Sequence, residues 1–323
     1  MAKTTKSIAP TENAATSRPE LPGSTLVWVL LAGATVWFAA RLWAVRGTLA
    51  ALAEEVGVSQ SAITGLVTFA LPTMIAAALV VGASVGLALR VWAPLAVARD
   101  PRVSMRLVVG AAAGLVAAGV TGAALLVSGH PTVAVWGVAS AAALGGLISA
   151  GAPRVLAAGL AGALAVAVLQ FLFSLPAVIS PVRGLLDGSG TGPEVADAYR
   201  QMAMITGGLS GVAAGVLAYL VLRRLRVVGL GGHIAAGGAA GAFLLISEVV
   251  SRITLPILID RVGGLAPGDV LVLQMLATAR LNEGLMLFFA GAVTALILLG
   301  RSKPKRQLTT FTPRTPPEQA KPD

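Results

Sequence analysis

The chain has 323 residues, of which 56% are apolar and only 12% charged, and its formal net charge is +10. A soluble domain of this length carries roughly a quarter of its residues as charged groups. The long apolar stretches that recur here make the bilayer the expected solvent. Cysteine is absent, which excludes disulfides, thiolate nucleophiles and Cys-ligated clusters, and the two histidines, His130 and His233, have no carboxylates beside them at ligand spacing. No metal site or other cofactor is therefore expected.

Residues 1–24 are polar and proline-containing and read as a disordered cytoplasmic tail. Eight apolar runs follow, near 25–45, 63–89, 105–128, 132–150, 155–177, 201–222, 229–251 and 282–300. Each is close to the ~20 residues that cross a bilayer. Residues 25–300 thus form one transmembrane domain, and 301–323 form a basic, Pro-rich cytoplasmic tail. The expected fold is an all-α polytopic transmembrane helical bundle of about eight spans. The first span is longer than the apolar core of a signal peptide and is expected to be retained.

The basic residues sit at the ends of apolar segments rather than in one patch, so nucleic acid is not an expected partner. With the N-terminus inside, the cytoplasmic segments hold 17 Lys and Arg against 7 outside. The positive-inside rule then places both termini in the cytoplasm. All five lysines lie in the tails and arginine dominates elsewhere, as in high-GC bacterial chains, so the expected location is a prokaryotic inner membrane.

Three outer connections, near 46–62, 178–200 and 252–281, exceed a simple turn. Within them RGTLAALAEEV and GDVLVLQMLATAR alternate at helical spacing and are expected to lie on the outer surface or dip into the bundle. Pro176, Pro181 and Pro256 are expected to end or break the spans leading into them. Gly65, Gly137, Gly208 and Gly284 are spaced by 72, 71 and 76 residues, the pattern of a helix-hairpin repeat.

GGLSGVAAG (207–215) and GGHIAAGG (231–238) resemble the serine- and histidine-bearing helices of rhomboid intramembrane proteases. That resemblance implies Ser210 as nucleophile and His233 as base. Rhomboids, however, place a further helix between the two, whereas RRLRVVGLGG joins these directly. The span boundaries also separate the two residues in depth by about 11 Å at the helical rise, against the ~3 Å that a nucleophile and its base require. A packing role is the better reading. Gly207, Gly211 and Gly215 make one stripe, and Gly237 with Gly241 makes another, each a groove for close helix approach. Glu54 and Glu55 resemble the acidic pair of CAAX-type membrane endopeptidases, but the Arg and His partners of that family are missing, and a solvated acidic face is expected.

Polar groups inside lipid are costly and each needs a reason. Glu248 and Arg252, at i,i+4 in LLISEVVSRITLP, can pair, with Arg252 reaching toward water. Asn282 and Glu283 cluster with Arg280 where the eighth run begins, and a first-turn position would let the helix dipole hold Glu283. Gln170 and Ser174 form another i,i+4 pair. These groups converge on the outer halves of spans five, seven and eight, the parts from which outward cavities of transporters are built. The sequence therefore points to a permease or carrier for a small or amphipathic solute, with Glu248, Arg252, Gln170, Ser174, Asn282 and Glu283 as candidate binding residues. The alternative is a non-catalytic scaffold or accessory subunit of an envelope complex, joined to a membrane-protein partner or to further copies of itself. No P-loop motif is present, so ATP hydrolysis is expected to need another subunit.

Overall fold

The computed structural model describes residues 23–54, 60–92, 103–128, 132–175, 192–226, 229–262 and 267–302. They form eight helices: α1 (Ser24–Glu54), α2 (Gln60–Trp92), α3 (Val103–Val127), α4 (Thr132–Ile148), α5 (Pro153–Ser174), α6 (Gly192–Arg224), α7 (Leu230–Val262) and α8 (Pro267–Ser302). Seven are long and apolar enough to cross a membrane, and α4 is a shorter apolar helix of 17 residues. The protein is an all-helical membrane bundle.

Burial is inverted relative to a water-soluble protein. Large apolar side chains such as Val36, Leu115, Trp136, Phe171 and Phe289 face outward, while alanines fill much of the interior. Lipid tails are as apolar as leucine, so the helices gain by packing closely rather than by hiding hydrophobic area. Glycines set how closely. A Cβ on Gly82 of α2 would fall on the carbonyl oxygen of Ala142, and one on Gly145 of α4 would fall on that of Leu79. Gly114 and Gly146 bring α3 and α4 together in the same way. Arg90, near the end of α2, donates to the carbonyl oxygens of Ser149 and Gly151 and so satisfies the C-terminus of α4.

The order of these contacts gives the helix directions. Gly82 and Gly86 meet Ala142 and then Gly146, so α2 and α4 run parallel, whereas Gly110 and Gly114 meet Gly146 and then Ala143, so α3 and α4 are antiparallel. Likewise Gly207, Gly211 and Gly215 approach Glu283, Leu287 and Gly291 in turn, making α6 parallel to α8. Gly237 against Gly291 and Gly241 against Phe288 make α7 antiparallel to α8. Trp28, early in α1, meets Trp92, at the end of α2, edge to face at 5.2 Å. The helices alternate in direction, and the end holding these two tryptophans is called the near end. Gly137, Gly208 and Gly284, which share a place in the sequence repeat, have different surroundings: Thr254, the tip of Met286 and Leu245 respectively.

Several boundaries differ from expectation. RGTLAALAEEV continues α1 as far as Glu54, and GDVLVLQMLATAR forms the first turns of α8, so neither is a separate surface helix within the described residues. α8 starts at Pro267 rather than near 282 because a proline suits the first position of a helix and no further proline interrupts the run to Ser302. The charges of Arg280 and Glu283 mark partners inside the bundle, not the edge of the span. Glu283 is therefore in mid-helix, and a first-turn dipole does not hold it. Pro256 lies inside α7, which runs on to Val262. α5 ends at Ser174, and Pro176 and Pro181, like His130, residues 1–22 and residues 303–323, lie outside the described residues, while Arg301 and Ser302, expected in the tail, close α8.

Candidate functional site

In the far half of the bundle α1, α2, α5, α6, α7 and α8 line a partly open cavity of about 420 Å³. That volume suits a small organic molecule. Each wall has a sequence reason. Trp37 and Arg41 are i,i+4 on α1 and share a face. Pro72, inside α2, forms part of the wall and leaves one carbonyl of the preceding turn without its helical donor. Gln170 and Ser174 come from the last turns of α5, Thr206 from α6, Ser247 and Glu248 from α7, and Arg280 and Glu283, at i,i+3, from α8. Toward the near end the space narrows to a void of about 10 Å³ lined mainly by small and apolar side chains, among them Val80, Ala163, Ala240 and Phe243.

The charged centre is Glu248. Its side chain is only 4% exposed and is held between two arginines. Nε of Arg252 donates to Oε1 at 3.1 Å, and Nε of Arg280 donates to Oε2 at 3.0 Å. The i,i+4 partner Arg252 is 54% exposed, so its remaining N–H groups reach outward. Arg280 arrives from the neighbouring helix and is half-buried. Beside this group, Nε2 of Gln170 donates to Oε1 of Glu283 at 2.9 Å, tying α5 to α8.

The hydroxyl protons of the wall are already committed. Thr73, Ser174, Thr206 and Ser247 donate to carbonyls of their own helices, at Ala70, Phe171, Met202 and Leu244. Several nitrogen donors are not. Among the described residues Nε1 of Trp37 and Nη2 of Arg280 are buried without a partner, and Arg41 forms no hydrogen bond or ion pair. Buried donors left unpaired are costly, so such groups ask for an acceptor.

Of the candidate residues read from the sequence, Gln170, Ser174, Glu248 and Glu283 line one cavity. Arg252 joins them through Glu248 without forming the wall, and Asn282 is half-buried on α8 and is not part of the lining. Trp37 and Arg41 were missed. Arg41 reads as an outer topological charge near the end of the first span, yet its depth of almost five turns into α1 is the signal of an intramembrane arginine.

Ser210 and His233 do not form a catalytic contact. The Ser210 hydroxyl is buried with no hydrogen-bond partner among the described residues. Nδ1 of His233 instead lies 3.0 Å from the Gly229 carbonyl oxygen, and its ring packs beside Tyr219, with centroids 6.1 Å apart. Tyr219 is more than two turns beyond Ser210 on α6, which separates the two depths. Among the described residues no group of three or more His, Asp or Glu side chains is placed to hold a metal.

Comparison with known proteins gives no match to any family model, to any curated protein or to any solved structure.

Proposed function

We propose that the protein is a permease or carrier of a prokaryotic inner membrane, with both termini cytoplasmic, and that it takes a small or amphipathic solute into the cavity from the outer side. The observation that carries this reading is a solute-sized space inside the bundle, walled by six helices and lined by two arginines and two carboxylates. A scaffold needs close packing, which α2, α3 and α4 already supply, but it does not need unpaired donors around a void. The narrowing of the cavity toward the near end, where Val80, Val166, Phe243 and Leu244 close in beside three alanines, suits a closed gate.

Alternating access is testable without knowing the solute. The chain has no cysteine, so a single Thr206→Cys substitution gives a unique thiol on the cavity wall. A membrane-impermeant charged maleimide should label it in right-side-out vesicles and, more slowly, in inside-out vesicles. Labelling from only one side under every condition would favour the scaffold, and a stoichiometric protein partner recovered in mild detergent would strengthen that alternative.

Orientation is tested separately. A periplasm-active phosphatase fused after Ser302 should stay inactive, and a cytoplasm-active reporter there should be active. The opposite pattern would invert the inside and outside assignments of every helix end.

A further inference from the structure

We infer that the cavity binds an oxyanion headgroup, carboxylate or phosphate, borne on an apolar body, and that Arg41, Trp37 and Arg280 are its ligands. The inference rests on the carrier reading for its setting, and its chemistry comes from which donors and acceptors remain unused.

The charged acceptors of the wall are largely spent. Both carboxylate oxygens of Glu248 are occupied, one by each arginine. Oε1 of Glu283 is occupied by Gln170. A cationic solute would have to displace a guanidinium from Glu248 or compete at the Gln170–Glu283 pair. Donors are different. A guanidinium carries five N–H groups in a planar fork, and Arg280 spends only its Nε, leaving Nη2 buried and unpaired. Arg41 contributes a whole guanidinium with no carboxylate of its own among the described residues. The Trp37 indole N–H, one turn before Arg41 on the same face, is buried and unpaired. Three independent donor groups from α1 and α8 thus line one cavity, and guanidiniums are matched to the paired oxygens of carboxylate or phosphate.

Charge agrees with this assignment. Arg41, Arg252 and Arg280 carry three positive charges against the two carboxylates of Glu248 and Glu283, so the group as a whole has one cation in excess. The rest of the wall, including Pro72, Phe173, Met202, Leu244 and Leu276, is apolar and can take a hydrocarbon portion. The same headgroup chemistry belongs to a lipid drawn from the bilayer or to a free anion from water.

Titration calorimetry on the purified full-length protein in a neutral maltoside detergent separates these cases. The probes are dodecyl phosphate, dodecanoate, dodecyltrimethylammonium and inorganic phosphate. At least one dodecyl anion should bind about tenfold or more tightly than the dodecyl cation. Arg41→Gln should weaken that binding about 10- to 100-fold. Trp37→Phe keeps an aromatic ring and removes the N–H, and should weaken it about 3- to 10-fold. Neither variant strips a partner from another described residue, so both should fold. If inorganic phosphate binds as tightly as dodecyl phosphate, the source is a free anion; if it binds far more weakly, the source is lipid-like. Equal affinity for the dodecyl cation, absence of binding by both dodecyl anions, or indifference to both substitutions would each overturn the inference. Anion binding together with one-sided thiol labelling would end the carrier reading and leave the site standing. Two-sided labelling with a preference for the cation would do the reverse.

Discussion

A Gly145→Val variant is expected to lose nearly all correctly folded protein, whereas Gly119→Val should accumulate normally. Both glycines are interior to apolar helices, so sequence alone ranks them alike. The difference lies in what faces them. A Cβ on Gly145 would overlap the Leu79 carbonyl oxygen and crowd the Ala83 amide, which are backbone atoms of α2. Backbone cannot rotate away as a side-chain tip can, so the two helices must separate. α2 is parallel to α4 at this point and Gly82 makes the reciprocal contact with Ala142, so the whole seam would open. Overpacking of this kind costs about 3 kcal/mol or more, a large part of the stability of a typical domain. A Cβ on Gly119 would meet nothing within 4 Å, so valine should be tolerated there. Fluorescence-detected size-exclusion chromatography of fusions reads both outcomes. A normal monodisperse peak for Gly145→Val would mean that the α2–α4 seam is looser than the contacts require.

The architecture was legible because lipid imposes a simple rule. A helix satisfies its own backbone groups, so apolar runs of sufficient length become spans. The runs at 63–89 and 201–222 fall within α2 and α6, and that at 105–128 falls nearly within α3, for that reason. What misled was charge. Arg280 and Glu283 look like the edge of a span when each is judged against lipid alone. Inside the bundle Arg280 finds Glu248 and Glu283 finds Gln170, so the helix passes through them without a break. Pro256 misled differently. In lipid a proline can remain within a helix when neighbours re-satisfy the freed carbonyl, and α7 continues past it.

The site was legible by half. Glu248, Gln170 and Glu283 stood out because each is a polar group in an apolar run. The i,i+4 rule gave Arg252 as a partner for Glu248, and that contact is present at 3.1 Å. No spacing rule could give the Arg280 contact, because it joins two helices, and a single sequence holds no record of which helices touch. The same limit hid the contribution of α1. Trp37 and Arg41 share a face by spacing, but which helix they look toward is settled by the packing of Gly33 against Leu164 of α5 and of Phe38 in the core.

The bridge at Glu248 supports the second large effect. Glu248→Ala should lower stability by about 3–5 kcal/mol, since removing one member of a buried ion group strands the other. The stranded group is Arg280, whose side chain is 24% exposed and which has one other N–H site already unpaired. Arg252→Ala should cost only about 0–1 kcal/mol, because that arginine is 54% exposed and lipid headgroups or water can replace its partner. The informative variant replaces both buried partners. Glu248→Leu with Arg280→Met removes the charges together and fills similar volume, so it should recover stability to within about 1–2 kcal/mol of the parent. It should not recover oxyanion binding, because the Arg280 fork is gone. Unfolding midpoints in one detergent, read beside calorimetric affinity for dodecyl phosphate, therefore separate two roles of the same group. If the double replacement is as unstable as Glu248→Ala, the ion group holds α7 to α8 by more than mutual neutralisation. If it is stable and binds as the parent does, Arg280 is structural, and Arg41 and Trp37 alone hold the anion.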